Sequence, residues 1–146
     1  MTEEKLRFYK GLGLKLTPQR LAILEFLENN RSHPSAEDIY NALKPRFPSM
    51  SFATVYNTLE VLAKKGLVKE ISVESTRKRF DPFTHPHHHF FCKACRKVID
   101  IENIKDNLGI PEEIKDCEID EYQIIFFGFC SDCKQKVSSD IYLDKN

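Results

Sequence analysis

Two Cys-x-x-Cys pairs, Cys92/Cys95 and Cys130/Cys133, lie 34 residues apart in a chain of 146. Each pair presents two sulfurs from one tight turn. Two such pairs complete the tetrahedral thiolate set of a closed structural Zn2+ site. An ion held there ties together the two ends of a C-terminal segment of about 60 residues, a size at which a core generally needs a staple or a partner subunit. Structural zinc contributes on the order of 10 kcal/mol to folding. A redox dithiol is the other use of a single Cys-x-x-Cys, but two knuckles in one chain favour the metal. Cys117 stands apart and reads as a small core residue.

Ahead of the cysteines the pattern is helical, with clear start and stop signals. An amphipathic run from Glu3 to Lys10 ends at Gly11 and Gly13. Thr17-Pro18 supplies an N-cap and a proline at the first helical position, followed by Leu21, Ile23, Leu24 and Leu27 at helical spacing. Ser35 with Asp38 three residues on forms a capping box, and Pro45 and Pro48 end the helix that follows. The next helix is predicted from Ser51 to Lys65, with Val55, Leu59 and Leu62 as its buried stripe and Gly66 as its stop. Leu67 to Ser72 and Lys78 to Phe80 read as two strands around a polar turn. Helices followed by a small hairpin describe a winged helix-turn-helix over residues 1–80.

Residues 81–86, with two prolines, read as a linker. Residues 87–146 form the second domain, with strands expected at Phe90-Phe91, Val98–Ile101 and Glu118–Phe127 and a short helix at Glu102–Leu108. The fold class expected is α+β: an N-terminal winged helix-turn-helix followed by a small zinc-stapled α/β domain.

A tract His85-Pro86-His87-His88-His89 precedes the first knuckle. In an extended strand His87 and His89 share one face and His88 takes the other. Two imidazoles on one face make half a site for a divalent transition metal, and Asp81 and Asp100 are nearby acids able to complete it. A solvent-exposed histidine run, or spare ligands for the zinc, is the alternative use of such a tract.

The net charge of zero conceals a split: residues 1–80 carry 14 Lys+Arg against 9 Asp+Glu, and residues 81–146 carry 8 against 13. The basic half is therefore the one suited to a polyanion. The predicted third main helix opens with Ser51, Ala53, Thr54, Tyr56 and Asn57, side chains fit for phosphates, thymine methyls and base edges. Arg20, Lys64, Lys65, Arg77, Lys78 and Arg79 flank it as candidate phosphate contacts. No apolar run approaches the ~20 residues of a membrane span, and MTEEKLRFYK has no signal-peptide core, so a cytoplasmic chain with no membrane partner is expected. No Gly-rich phosphate loop or nucleophile motif appears, and four cysteines leave no open metal position, so no enzyme is expected.

Taken in order, Leu16-Thr17-Pro18-Gln19-Arg20, His33-Pro34-Ser35-Ala36-Glu37, Ala53-Thr54-Val55-Tyr56, Gly66-Leu67-Val68, the histidine tract and both knuckles resemble the ferric uptake regulator family of metal-dependent repressors. The resemblance covers nearly the whole chain. It implies a homodimer, with the second domain as the dimerisation domain, on double-stranded DNA carrying a palindromic operator. It also implies a regulatory Fe2+ or Mn2+ site at His33, Asp81, His87, His89 and Asp100. An ion held by both halves would favour one closed, DNA-competent arrangement.

Asp81 and Asn57 stand where iron-sensing members usually have Glu and Arg, which makes the chain most similar to the peroxide-responsive branch. That branch implies iron-catalysed oxidation of a ligand histidine by hydrogen peroxide, with His33 and His87 as targets. An additional metal site of some members is not expected, because its positions hold Pro86, His88, Asn107 and Tyr122, and His88 is expected to face solvent. An iron- or zinc-uptake regulator is the alternative within the family. A Cys-x-x-Cys thiol oxidoreductase, or a zinc-stapled interaction module that binds no DNA, is the alternative outside it.

Overall fold

The computed structural model describes residues 1–104 and 109–136. The chain divides into two units, Met1–Thr84 and His85–Asn146. Among the described residues no helix is long and apolar enough to cross a membrane.

The first unit has four helices, α1 (Glu3–Gly11), α2 (Pro18–Leu27), α3 (Ala36–Leu43) and α4 (Phe52–Lys64), then a hairpin of β1 (Lys69–Ile71) and β2 (Arg79–Asp81). The local chemistry sets the helix starts. Thr2, Thr17, Ser35 and Ser51 occupy the four N-caps, and each hydroxyl accepts the backbone N–H three residues on. At α3 the exchange is reciprocal, because Ser35 N–H donates to Asp38 Oδ2 at 2.9 Å. Gly66, at φ +70, ends α4 in the left-handed conformation, and Leu67 N–H turns back to Leu62 O at 2.9 Å. Helices α2, α3 and α4 pack on one another around Ile23, Leu27, Ile39, Met50, Val55, Leu59 and Leu62, with Val68 and Phe80 closing the core from the hairpin side.

The hairpin is antiparallel, with Lys69 opposite Asp81 and Ile71 opposite Arg79. A third segment extends it, since Ser35 bridges to Arg79 on the other side and Phe80 N–H donates to Pro34 O at 2.9 Å. Strand β1 is shorter than the Leu67–Ser72 expected, because Leu67 takes part in the helix stop. Asp81, read from the sequence as the first linker residue, is instead the last residue of β2.

Among its described residues the second unit has three strands, β3 (His88–Cys92), β4 (Val98–Ile101) and β5 (Ile125–Gly128), in the order β4-β3-β5. The central β3 runs antiparallel to β4 and parallel to β5. The strand predicted at Glu118–Phe127 is therefore much shorter. The β3 register starts at His89 opposite Ile125, so residues 118–124 have no ladder to join. Glu112–Ile114 form a single 3-10 turn, and residues 131–136 run as helix. Of the helix expected at Glu102–Leu108, residues 102–104 are not helical, and 105–108 lie outside the described residues. Cys117 is exposed, contrary to the core position expected of it.

These contacts set stability expectations for the first unit. Leu59→Ala, which empties a fully buried site, is expected to cost about 3 kcal/mol. Ser35→Ala, which removes one half of the capping box, should cost about 1 kcal/mol. Urea unfolding followed by helix circular dichroism measures both, and equal costs would contradict this packing.

Candidate metal centres

The four cysteines converge from the two ends of the β3–β5 pair. Cys92 ends β3, Cys95 sits in the turn toward β4, Cys130 follows β5, and Cys133 is one turn into the helical residues 131–136. Their sulfur atoms all lie within 4.8 Å of one another, and none is in a disulfide. A tetrahedral ion with ~2.3 Å bonds to sulfur has sulfur–sulfur edges of about 3.8 Å. Cys95 Sγ lies 3.8 Å from Cys130 Sγ. The set is thus sized for zinc before any ion is added.

Its electrostatics point the same way. Cys130 N–H donates to Cys92 Sγ at 3.3 Å. That bond, with help from the Cys95 and Ala94 N–H groups, lowers the Cys92 thiol to about 6 against the opposing effect of burial. The Cys133 thiol is pushed up to about 12 by its hydrogen bond to Cys130 and by burial. Four clustered sulfurs do not all ionise unaided; a divalent cation takes the place of the missing protons.

A second donor set in this unit follows from strand register. His89 on β3 lies directly opposite Asp100 on β4, and His87, two residues back, shares its face. His87 Nε2 and His89 Nε2 lie 3.2 and 3.4 Å from the same oxygen, Asp100 Oδ1. His87 Nδ1 donates to the His85 carbonyl at 2.7 Å, which fixes the proton on that nitrogen. In the neutral ring the Nε2 lone pair then faces a carboxylate oxygen, an arrangement that calls for a cation between them. The Gln123 side-chain amide lies 2.8 Å from His89 Nδ1 and orients the second ring. Ligand atoms at ~2.1 Å from one ion sit about 3.0 to 3.4 Å apart. The observed spacings fit.

The first unit carries a smaller set built the same way. Extending the Ser35–Arg79 bridge by two residues puts His33 across from Asp81, and His33 Nε2 lies 3.4 Å from Asp81 Oδ2. Both side chains are buried. Asp81 Oδ1 accepts Phe83 N–H at 2.8 Å, which aims the other oxygen at His33. His33 has φ +52 although it is not glycine and precedes Pro34, a conformation that costs about 1–2 kcal/mol. The His33–Asp81 pair was not readable from local pattern, since the two residues are 48 apart. Nor did any pattern mark Gln123.

His88 departs from its expectation. Its ring stacks on Tyr122 at 5.5 Å, and its Nδ1 accepts Ile124 N–H at 3.0 Å, so it packs the sheet instead of facing solvent freely. His85 has a double use: its carbonyl orients His87, and its Nε2 lies 2.8 Å from Glu102 Oε2.

The residues expected at DNA cluster in part. Ser51 caps α4, its hydroxyl 2.9 Å from that of Thr54, and Ala53 and Asn57 are exposed on the same helix with Tyr56 half-buried. Arg20, Thr54 and Asn57 line one open cleft of about 330 Å³ with Lys15, Thr17, Gln19 and Thr58. Lys15 and Gln19 escaped sequence reasoning. Arg77 lines a separate cleft between α4 and the hairpin loop, alongside Tyr56. Lys64 lies in the last turn of α4, at the far end from Ser51 and away from both clefts. Lys78 is held by Glu70 at 3.2 Å, which raises its ammonium above the ordinary lysine value.

Comparison with known proteins bears on both units. Residues 11–126 match the model of the Ferric uptake regulator family. The peroxide operon regulator of Bacillus subtilis is 38% identical over 136 residues, 92% of this chain and 94% of that one. A peroxide-responsive repressor of Staphylococcus epidermidis is 35% identical over 136 residues, covering 92% and 91%. Among solved structures, a peroxide-sensing regulator from Streptococcus pyogenes aligns with TM-score 0.52 and 32% identity over 90% of this chain and 91% of that one. The ferric uptake regulator of Helicobacter pylori shares the fold, with TM-score 0.68 and 22% identity over 90% of both chains.

The four-sulfur site generates a direct test. Cys92→Ser and Cys133→Ser should each abolish the stoichiometric zinc and melt the second unit, while the first unit keeps its helices. Metal analysis with hydrogen exchange reads both effects. A folded, zinc-free Cys92→Ser second unit would contradict a structural role for the ion.

Proposed function

The chain belongs to the ferric uptake regulator family, and on that premise we propose that it is a metal-dependent, peroxide-responsive transcriptional repressor. It acts as a DNA-binding regulator, not an enzyme. The observation that carries the reading is the pair of imidazoles, His87 and His89, aimed at one oxygen of Asp100 with the His87 proton held on the far side of its ring.

In this reading His33, Asp81, His87, His89 and Asp100 together hold one Fe2+ or Mn2+, and the four cysteines hold Zn2+. Nitrogen and carboxylate donors suit the first two ions, and thiolates suit the third, so two chemistries are sorted by ligand softness. The first unit reads a palindromic operator through α4 and the hairpin, and the second forms the homodimer that spaces two recognition helices along the duplex. The exposed Ile99, Phe126 and Phe127 supply apolar surface for that dimer. An ion shared by ligands from both units stabilises the DNA-competent state over others, which makes metal the co-repressor.

Bound iron(II) supplies the reactivity that cleaves the O–O bond of hydrogen peroxide. One peroxide oxygen is inserted into an imidazole C–H of His33 or His87 and the other leaves as water, so the ring loses two electrons and the peroxide gains them. An oxidised His33 or His87 ring would be a poorer donor, so the ligand set would no longer favour the DNA-competent state and repression would be lifted. Mn2+ held by the same residues would not supply that oxidation chemistry.

Anaerobic loading with Fe2+, then hydrogen peroxide, then mass spectrometry of the peptides carrying His33 and His87 tests the reading. A gain of one oxygen on either, with loss of operator binding, is expected. Unmodified histidines with binding retained would point to a metal-uptake regulator on the same fold. His33→Ala should keep the fold and the zinc but lose metal-stimulated DNA binding by at least about tenfold; binding still strengthened by Mn2+ would remove His33 from the site.

A further inference from the structure

Arg79, expected from the sequence as a phosphate contact, is instead buried in an ion pair with Glu74 that the ligand sets leave without a use. Arg79 Nε lies 3.0 Å from Glu74 Oε2, with the two side chains 10% and 5% exposed. Taking two charges out of water is unfavourable unless the geometry returns the loss. Here the same guanidinium also donates from Nη1 to the His33 carbonyl at 3.3 Å. Glu74 belongs to the loop between β1 and β2, which carries Arg77 and Lys78. Asp81 stands two residues beyond Arg79 on the same strand.

One side chain therefore touches the loop that flanks α4 and the backbone of a residue held at φ +52. We propose that Arg79 is a positioning residue that couples the His33–Asp81 pair to the wing, so that metal occupancy sets the wing's geometry for DNA. This rests on the reading above that His33 and Asp81 hold the regulatory ion. Engaging His33 Nε2 fixes the orientation of its peptide, whose carbonyl bears on the guanidinium. The guanidinium is planar and rigid, so the carbonyl on one edge and the Glu74 carboxylate on the other shift together. Lysine, a point charge without the fork, does not transmit the movement. Linkage requires the reverse effect of equal size: DNA raises metal affinity by the factor by which metal raises DNA affinity.

The test uses full-length zinc-loaded protein, Mn2+ as a redox-silent probe, and a duplex selected from random DNA by the wild-type protein. DNA affinity is measured with and without saturating Mn2+, and Mn2+ affinity by electron paramagnetic resonance of the free ion, with and without duplex. Arg79→Lys and the double variant Arg79→Met/Glu74→Met, which leaves no buried charge unpaired, are compared, with zinc content and melting as checks of folding. The metal-to-DNA coupling ratio is expected to fall by about tenfold in both, while Mn2+ affinity without DNA stays within about threefold of wild type. Wild-type coupling in the variants overturns the role of Arg79. So does a loss of Mn2+ affinity without DNA that accounts for the whole effect, since Arg79 then only supports the ligands. A wild-type protein indifferent to Mn2+ overturns both this coupling and the metal reading beneath it.

Discussion

The pairing register of short strands decides where the histidine and aspartate donors of this chain stand. His87, just ahead of β3, shares the face of His89 two residues on, and antiparallel pairing sets His89 opposite Asp100. A slip of one residue would turn the imidazoles to the other face and leave the carboxylate alone. Strands of four and five residues do not hold their register strongly by themselves. The cysteine cluster supplies what they lack. Cys92 is three residues along the same strand from His89, and it is paired with Gly128, two residues before Cys130. An ion clamped between these ends fixes β3 against β5, and with it the face that His87 and His89 present. The cysteine cluster and the His87/His89/Asp100 donor set therefore depend on one and the same strand register.

The first unit solves a similar problem without sulfur. Pro34 and Ser35 pair with β2, and the register brings His33 to Asp81. The same three residues lead into α3, whose capping box anchors them. His33 is thus held in a left-handed conformation by a well-capped helix on one side and a core strand on the other. Such a conformation persists only where its surroundings over-determine it, and here they do.

Much of this was legible in the sequence, and what was legible is local. Thr17, Ser35 and Ser51 announce helix starts because a cap is a contact over three residues, and Gly66 announces a stop for the same reason. The two knuckles and the His87/His89 alternation are likewise short-range patterns. Several of the misreadings concern contacts made at a distance. The strand expected at Glu118–Phe127 has the right residues, but β3 offers it a partner only from Ile125 onward. His88 was expected in solvent because nothing near it in sequence shows that Tyr122 and Ile124 meet it. Cys117 was expected in the core because small apolar residues usually go there, yet residues 118–124 bring no sheet to cover it. The His33–Asp81 pair came only from the family resemblance, since no periodicity links positions so far apart.

Both donor sets share one electrostatic logic, and it separates them from ordinary structural polar clusters. A satisfied polar cluster pairs donors with acceptors. In the second unit two ring nitrogens face a single carboxylate oxygen, and four sulfurs crowd within 4.8 Å, with the Cys92 thiol driven down and the Cys133 thiol driven up. Each arrangement is short of positive charge, and a divalent ion meets that shortage where bound protons meet it only in part. The sulfur set fills all four tetrahedral positions of a zinc ion. The nitrogen and oxygen set is formed of harder ligands and suits ions that accept more than four. The contrast between a closed four-sulfur set and a mixed nitrogen and oxygen set follows from donor type and count.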